Sequence, residues 1–366
     1  MSEQPTMVKC LVWDLDETLW RGTLAEGDEV RPLERARVLV EELDRRGILQ
    51  SIASKNDHDQ AWAALERFGL AEYFVLPQIG WGPKSASVQA IADGLNFDVG
   101  TMAFVDDRPT ERAEVAYHLP RVRCYDAVED LPRLAALPEF SPAQVTADSA
   151  RRRSMYQAGF RRTSAQERFA GSDEEFLRTL DLRMAISRAG ESGLARVEEL
   201  TLRTSQMNAT GVHYSLDTLR ELIADPRHEV LVTTLEDRFG PHGAIGLLLL
   251  ERHREVWHLK LLATSCRVVS LGAGATIINW LIDQAARAGV HLLADFRSTP
   301  RNRMMEVAYR FSGFADEPCD CADTVPDARH PEGLVRLHLV PERQRLQGTA
   351  VSVSAPDLTQ PATQEA

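Results

Sequence analysis

A strand-like apolar run that ends in acidic side chains constrains the fold of this chain more than any other feature of its sequence. The run from Val8 to Trp13 is almost wholly apolar, and Asp14, Asp16 and Glu17 follow it directly. A strand that is apolar on both faces is typical of a parallel sheet covered by helices, and ligands of such sheets bind at the carboxyl ends of strands. We therefore predict an α/β fold with a functional loop after its first strand.

The same rhythm continues through the first third of the chain. Strand-like segments at 48–54 and 101–107 alternate with helix-like segments, which predicts a parallel, Rossmann-like sheet. We assign residues 1–135 to this domain. Residues 136–183, which contain two prolines and then an arginine-rich helix, are assigned to a linker.

A second domain of mixed α+β class is predicted over residues 184–340. Strand-like segments at 229–237, 244–252 and 256–264 precede a glycine-rich turn and an apolar helix at 275–289. After Pro341 the composition shifts to Gln, Thr, Ser, Pro and Ala, which bury too little apolar surface to offset the ordering entropy. Residues 341–366 are therefore predicted to form a disordered tail.

Charge and composition exclude several classes of protein. The chain has 366 residues with 54 acidic and 42 basic side chains, and its net charge of −12 repels nucleic acid and anionic membranes. Five cysteines are an odd number and too sparse for a secreted disulfide scaffold. No segment is long and apolar enough to span a membrane, and no signal peptide is recognisable. We expect a cytoplasmic protein without nucleic-acid or membrane partners.

Two carboxylates two residues apart suit phosphoryl transfer. Alternation along the strand turns Asp14 and Asp16 toward the same side. One carboxylate can attack phosphorus, while the other protonates the leaving oxygen and later activates water. A solvated turn after a strand is the alternative, since Asp is common there.

Three further features occur where strands end or helices begin, namely Ser54, Lys84 and the pair Asp106-Asp107. The serine can donate to phosphate oxygens, and the lysine can neutralise the transferred group. Carboxylates favour Mg²⁺, the cofactor that we predict. The candidate Mg²⁺ ligands are Asp14, Asp16, Asp106 and Asp107. Separately, each feature is explained by helix capping, a lysine whose charged end reaches solvent, or an acidic turn.

In this order the motifs resemble the haloacid dehalogenase superfamily of phosphohydrolases and phosphotransferases. Only about thirty residues lie between Thr18 and the second strand, and about thirty between Ser54 and Lys84. Neither gap is long enough for a large folded cap. The resemblance implies that Asp14 is the nucleophile, Asp16 the general acid and base, and Ser54 and Lys84 the phosphate-binding residues.

Four longer segments resemble the FkbH-like family more closely: DETLWRGTL at 16–24, SIASKND at 51–57, PQIGWGPKS at 77–85 and VDDRPTER at 105–112. This resemblance implies an enzyme of polyketide or nonribosomal peptide biosynthesis. It would take 1,3-bisphosphoglycerate, remove phosphate and place a D-glyceryl group on the phosphopantetheine arm of an acyl carrier protein. The resemblance also implies substrate contacts from Thr18 and Asn56.

A cysteine would carry the glyceryl group as a thioester, again by this resemblance. Leu15 occupies the position between the two aspartates where family members can have cysteine. Cys266 is our candidate, because a strand end before a glycine-rich helix start can lower a thiol pKa. Cys10 is predicted to belong to the core. Cys319 and Cys321, with no second cysteine pair, are a weak zinc signal.

Residues 259–314 resemble the N-acyltransferase (GNAT) fold that uses acetyl-coenzyme A. The resemblance places a phosphopantetheine or pyrophosphate site at Gly272 and Gly274, with Asn302 and Tyr309 nearby. Glycines that permit tight packing, and a tyrosine in the core, are the alternatives.

A polar block in the same domain also resembles the FkbH-like family. Its members are Thr204, Gln206, Asn208, Thr210 and His213. We predict that Asn208 binds substrate or carrier, with a capping loop as the alternative. The arginines at 151–153 and 161–162 are a hypothetical docking surface for an acidic carrier protein, against the alternative of a solvated helix face.

These patterns lead to one interpretation with two alternatives. The first is a Mg²⁺-dependent glyceryltransferase and phosphatase that acts on 1,3-bisphosphoglycerate and an acyl carrier protein. A phosphatase of small phosphate esters needs the same aspartates but no carrier protein. A non-catalytic module that presents carrier proteins to other enzymes is the third possibility.

Overall fold

The computed structural model describes residues 6–142, 145–203, 207–299, 302–325, 333–343 and 350–360. The chain divides into two compact units. The first ends at Phe160 and the second begins at Arg161. Phe140, which the sequence assigned to a linker, is buried in the core of the first unit.

The first unit is built on a five-stranded parallel sheet. The five strands of this sheet are β1 (Cys10–Trp13), β4 (Leu49–Ser54), β5 (Gln78–Ile79), β6 (Met102–Asp106) and β7 (Arg123–Asp126). Two short strands, β2 (Trp20–Arg21) and β3 (Arg31–Pro32), form a separate antiparallel pair. The helices of this unit are α1 (Glu34–Arg45), α2 (His58–Arg67), α3 (Lys84–Leu95), α4 (Pro109–His118) and α5 (Ala147–Ala150). The next helix, α6 (Arg152–Glu167), contains the point at which the chain divides into the two units. The main sheet has the order β5-β4-β1-β6-β7, and each neighbouring pair is parallel.

Burial on both faces explains why β1 lies at the centre of this sheet. Leu11 and Trp13 point into one apolar cluster, while Cys10 and Val12 point into the other. Alternate side chains of a strand face opposite sides, so a run without polar residues is stable only between two covering layers. The predicted α/β class is confirmed, and Cys10 is a core residue.

No large cap interrupts the described part of the first unit. Between β1 and α1 the chain forms only the two short antiparallel strands β2 and β3 and a single 3₁₀ turn, Leu24–Glu26. Between β4 and α3 it forms α2, β5 and the 3₁₀ turn Ala71–Tyr73. The carboxyl edge of the sheet is therefore not covered by an inserted domain.

The second unit is built on a seven-stranded mixed sheet with helices, which agrees with the predicted α+β class. Its strands are β8 (Leu182–Arg188), β9 (His228–Asp237), β10 (Gly240–Arg252), β11 (Val256–Thr264), β12 (His291–Arg297), β13 (Leu334–Leu339) and β14 (Val351–Ser354). Its helices are α7 (Asp173–Arg178), α8 (Leu194–Arg203), α9 (Leu216–Ala224), α10 (Ala273–Ala288) and α11 (Arg303–Phe311). The order is β13-β12-β11-β10-β9-β8-β14, in which β11–β12 and β8–β14 are parallel pairs.

The prediction of a disordered tail is wrong for residues 350–360. The strand β14 pairs with β8, and Val351 and Leu358 are buried in the core of the second unit. The main-chain N–H of Leu358 also donates to Gln284 Oε1 at 2.9 Å. The region is polar in its average composition, but its few apolar residues, together with main-chain pairing, are sufficient to attach it to the edge of the sheet at β8.

Among the described residues, no helix is long and apolar enough to cross a membrane. A cytoplasmic location stays a prediction.

Leu358→Ala tests whether this terminal segment contributes to stability. The side chain is fully buried, so its truncation is expected to lower the free energy of unfolding by about 2–4 kcal/mol. Val340→Ala, at a residue that is 58% exposed, is expected to change it by less than about 0.5 kcal/mol. Urea denaturation of the full chain measures both, and equal effects would contradict the observed packing.

Gly47 and Gly69 form a second matched pair. Both have a left-handed backbone, with φ of 70° and 67°, which costs alanine about 1–2 kcal/mol. A Cβ at Gly47 would lie 2.3 Å from the carbonyl oxygen of Ser149, whereas a Cβ at Gly69 meets nothing within 4 Å. Gly47→Ala is therefore expected to lower the unfolding free energy by at least about twice as much as Gly69→Ala. Similar losses in urea denaturation would contradict the close approach.

Candidate active site

Polar side chains from three adjacent strands meet at the carboxyl edge of the first sheet. Asp14 follows β1, Ser54 is the last residue of β4, and Asp106 is the last residue of β6. Lys84 is the first residue of α3. Because β4, β1 and β6 are neighbours, the sheet brings these distant parts of the sequence to one location.

Lys84 is the centre of this cluster. Its side chain is buried, and its Nζ donates to Asp14 Oδ1, to the Ala53 carbonyl at 2.7 Å and to Asp106 Oδ2 at 3.0 Å. An ammonium group has three protons, so all three find acceptors. The buried charge is thus fully hydrogen-bonded and faces two carboxylates.

Burial and mutual repulsion change the acidity of these carboxylates. Burial raises the pKa of Asp14 to about 6, an effect that Lys84 opposes and Asp106 reinforces. The pKa of Asp107 is also raised, by burial and then by the charge of Asp14. Although burial alone would lower the pKa of Lys84, the two carboxylates raise it. The three carboxylates Asp14, Asp106 and Asp107 together have more negative charge than the single ammonium group of Lys84 neutralises.

Three carboxylates are arranged to hold a metal ion. One oxygen each from Asp14, Asp106 and Asp107 lies within 4.8 Å of the others. An all-oxygen donor set with excess negative charge fits Mg²⁺, which prefers carboxylates and retains several waters. These residues therefore fit the predicted cofactor.

Asp16 does not belong to this group, so the structure does not support its prediction as a metal ligand. Its Oδ1 accepts from Trp20 Nε1 at 2.8 Å and from the Leu24 N–H at 3.0 Å, and its Oδ2 accepts from Asn56 Nδ2 at 2.9 Å. Three donors hold this carboxyl group in a fixed orientation. That arrangement suits a proton acceptor better than a metal ligand.

Asn56 connects the acidic loop to β4. Its Nδ2 also donates to Ser54 Oγ at 3.1 Å, while its buried Oδ1 has no hydrogen-bond partner in the described part of the chain. Thr18 is buried, and its Oγ1 accepts from the Asp107 N–H at 3.0 Å. Thr18, predicted as a substrate contact, thus has a role in orienting the Asp106-Asp107 loop.

Arg112 is a site residue that the sequence analysis missed. Its Nη1 donates to the carbonyls of Asp106 at 2.7 Å and Asp107 at 2.9 Å, and its Nη2 pairs with Asp126 at 2.6 Å. The arginine fixes the backbone that carries the two carboxylates. Its position in the first turn of α4, within the segment VDDRPTER, was the available signal.

The polar residues predicted to line a site in the second unit mostly support its backbone. Asn208 Oδ1 accepts from the N–H groups of Thr210 at 3.0 Å and Gly211 at 2.6 Å. Asn302 Nδ2 donates to the carbonyls of Asn208 at 3.0 Å and Arg297 at 2.9 Å. These asparagines stabilise turns, which favours the alternative interpretation. Thr204 and Gln206 lie outside the described residues.

Tyr309 is a core residue in this structure. Its ring is fully buried against Phe296 and Phe314, and burial raises its pKa far above the ordinary value. Such a hydroxyl is not accessible to a substrate, so the core alternative for Tyr309 is supported.

Gly272 and Gly274 lie at the start of α10, as predicted. A Cβ at either position would meet nothing within 4 Å, so tight packing does not explain them. Gly272 has a φ of 70°, which favours glycine at this turn. Cys266 is the first residue of the 3₁₀ helix that precedes Gly272, and its side chain lies outside the described part of the structure.

Most of the arginines proposed as a carrier surface have internal partners. Arg153 pairs with Asp44 at 2.8 Å, and Arg152 donates to the Gly47 carbonyl at 2.5 Å. Arg162 is buried and contacts Asp237 at 2.5 Å. These side chains stabilise the two units, which weakens the docking hypothesis.

Several solved structures are similar to parts of this chain. No family model and no curated protein matches the chain. The N-terminal part of a Bacteroides fragilis protein, which contains a phosphatase domain and was crystallised with Mg, is 28% identical over 38% of this chain and 43% of its own, with a TM-score of 0.34. The match therefore spans less than half of that chain.

Two further neighbours align at lower identity. The ribosomal-protein-S18-alanine N-acetyltransferase of Escherichia coli is 17% identical over 45% of this chain and 97% of its own, with a TM-score of 0.33. A haloacid dehalogenase superfamily hydrolase of Ehrlichia chaffeensis is 12% identical over 36% and 97%, with a TM-score of 0.30. The narrower resemblance to the FkbH-like family stays a prediction.

Asp107→Asn and Asp16→Asn distinguish the three carboxylates that the structure brings together from the predicted set of four Mg²⁺ ligands. Loss of a ligand charge at Asp107 is expected to weaken Mg²⁺ binding by at least about tenfold. Asp16 is held by other donors, so its substitution is expected to change the affinity by less than about threefold. Isothermal titration calorimetry with Mg²⁺ measures both constants. Equal losses in the two variants would contradict this grouping.

Proposed function

We propose that the first unit is a Mg²⁺-dependent phosphatase and phosphotransferase with Asp14 as its nucleophile. The observation that carries the proposal is the direct contact of the buried Lys84 ammonium with Asp14 and Asp106. A structural ion pair has no need of a third carboxylate, yet Asp107 adds one within ligand distance. Bound Mg²⁺ would neutralise charge on the phosphoryl oxygens.

In the first step a carboxylate oxygen of Asp14 attacks phosphorus. A bond between this oxygen and phosphorus forms as the bond from phosphorus to the leaving oxygen breaks, and Asp16 in its protonated form donates a proton to that oxygen. Lys84 stabilises charge on the transferred group. Ser54 Oγ accepts from Asn56, so its own proton can be donated to a phosphoryl oxygen.

In the second step water attacks phosphorus of the aspartyl phosphate. Asp16, now a carboxylate held by Trp20 and Asn56, accepts the proton of the attacking water. The phosphorus–oxygen bond to Asp14 breaks, which releases phosphate and restores the nucleophile. The sum of the two steps is a phosphate ester plus water to an alcohol plus phosphate.

The substrate that we propose is 1,3-bisphosphoglycerate, with an acyl carrier protein as acceptor. The four segments similar to the FkbH-like family support this choice, and all four contain site residues, namely Asp16, Asn56, Lys84 and Asp106. Attack of a thiol on the acyl carbon forms a thioester and releases the first phosphate, and hydrolysis at Asp14 releases the second. The balance is bisphosphoglycerate, thiol and water to glyceryl thioester and two phosphates.

The thiol that first accepts the acyl group is a separate part of the proposal. Cys10 is buried at the centre of the sheet, and burial raises its pKa far above the ordinary value, so it is a poor nucleophile. Cys266, two residues after the end of β11, remains the candidate, with the phosphopantetheine thiol of the carrier as the direct alternative.

The proposal is tested with the full chain, Mg²⁺, 1,3-bisphosphoglycerate and a phosphopantetheinylated carrier protein. We expect phosphate release and a glyceryl adduct on the carrier by intact-protein mass spectrometry. Asp14→Asn removes the nucleophile and is expected to reduce phosphate release from a stable monophosphate ester by at least about a thousandfold. Asp59→Asn, at an exposed carboxylate in α2, is the matched control and is expected to retain activity.

The outcomes separate the three functions. A carrier adduct supports the glyceryltransferase, and peptide mapping of the enzyme then identifies any acylated cysteine. Phosphate release without an adduct supports a phosphatase of small esters and contradicts the carrier. No phosphate release from either substrate, in a folded protein that still binds the carrier, supports a non-catalytic module.

A further inference from the structure

A second group of potential metal ligands lies in the other unit. It consists of His291, Cys319, Cys321 and His338, and one nitrogen or sulfur atom from each lies within 4.8 Å of the others. The histidines are 28 residues before Cys319 and 17 residues after Cys321. The sequence alone therefore shows only the cysteine pair, which by itself is a weak signal.

The sheet brings these residues together. His291 is the first residue of β12, and His338 lies on the adjacent strand β13, opposite Leu293. The main chain of Ala315 exchanges two hydrogen bonds with that of His338, at 2.9 and 2.8 Å, and so holds the start of the cysteine loop against β13. Cys319 then precedes the 3₁₀ turn Asp320–Thr324, which contains Cys321.

The separations agree with the edges of a tetrahedron around zinc. His291 Nδ1 lies 3.1 Å from His338 Nε2 and 3.4 Å from Cys319 Sγ. Zinc bonds of about 2.0–2.1 Å to nitrogen and about 2.3 Å to sulfur imply ligand separations of about 3.3 Å between nitrogens and about 3.5 Å between nitrogen and sulfur. The observed distances are within 0.2 Å of these edges.

Hydrogen bonding alone does not account for this convergence. A ring nitrogen has either one proton or one lone pair, so His291 Nδ1 can satisfy only one of its two close neighbours. A cation at the centre would accept a lone pair from each of the four residues. One hydrogen bond therefore explains only one of the two short contacts that His291 Nδ1 makes, with His338 Nε2 or with Cys319 Sγ.

The surroundings match a structural metal site. Cys321 and His338 are buried, and Cys321 belongs to one apolar cluster with Val256, Leu293 and Val325. The loop is acidic, and its charged side chains are exposed, which raises the local concentration of cations. These side chains are Asp316, Glu317, Asp320 and Asp323.

We propose that His291, Cys319, Cys321 and His338 bind one zinc ion that fastens the 315–325 loop to strands β12 and β13. Two sulfur and two nitrogen donors select zinc over the hard cation of the first unit. Four protein ligands leave no open coordination position, so the role is structural and independent of the function of Asp14. The fastened strand β13 is an edge strand of its sheet.

Zinc content and cobalt substitution of the full chain test this proposal. Protein purified under reducing conditions is expected to contain about one zinc per chain by mass spectrometry of the metal. Replacement by Co²⁺ is expected to give the intense visible bands of tetrahedral cobalt and a thiolate-to-cobalt charge-transfer band. Cys319→Ser and His338→Gln are expected to lose both signals.

Cys124→Ser and His118→Gln are the matched controls, since they alter a partly buried thiol and an exposed imidazole outside the group. In both, zinc content and cobalt bands are expected to be unchanged. If a ligand variant does not fold, displacement of zinc from the wild-type chain by a mercurial, read with a chromophoric chelator, replaces it.

Two results overturn the proposal. One is less than about 0.1 zinc per chain in reduced protein that was equilibrated with zinc, together with no cobalt bands. The other is a disulfide between Cys319 and Cys321 that persists under reducing conditions, which peptide mass mapping detects.

Discussion

The buried ammonium of Lys84 is the interaction on which the first unit depends. A charge without water is stable only when every proton has an acceptor, and here the acceptors come from the ends of β1, β4 and β6. One lysine therefore holds three strand ends in register at their functional edge. The same contact leaves the carboxylates with excess negative charge, so the feature that stabilises the edge also prepares it for a divalent cation.

Much of this edge could be predicted from the sequence, because it follows from local rules. Strands without polar residues must be central, and ligands meet where parallel strands end, which was enough to bring together Asp14, Ser54, Lys84 and Asp106. The partners of Asp16 could not be predicted. Whether a carboxylate near a metal site binds the metal or accepts from Trp20 depends on the loop geometry, which two residues of spacing do not determine.

In the second unit the asparagines predicted to bind substrate or carrier have a structural role instead, and the reason is physical. An asparagine side chain serves equally to bind a ligand and to satisfy main-chain groups in a turn, and Asn208 and Asn302 do the latter. The histidine and cysteine group was missed for the opposite reason. Its members are separated along the chain, and only the pairing of β12 with β13 makes them neighbours.

The positions of β13 and β14 at opposite edges of one sheet also affect how the second unit is made. Both edge strands lie between residues 334 and 354, after all five inner strands. During synthesis the inner strands leave the ribosome first and have two unpaired borders. The first unit, whose strands are all complete by Asp126, can fold meanwhile. Until β13 and β14 emerge, the borders of the inner strands are open to edge-to-edge association with other chains.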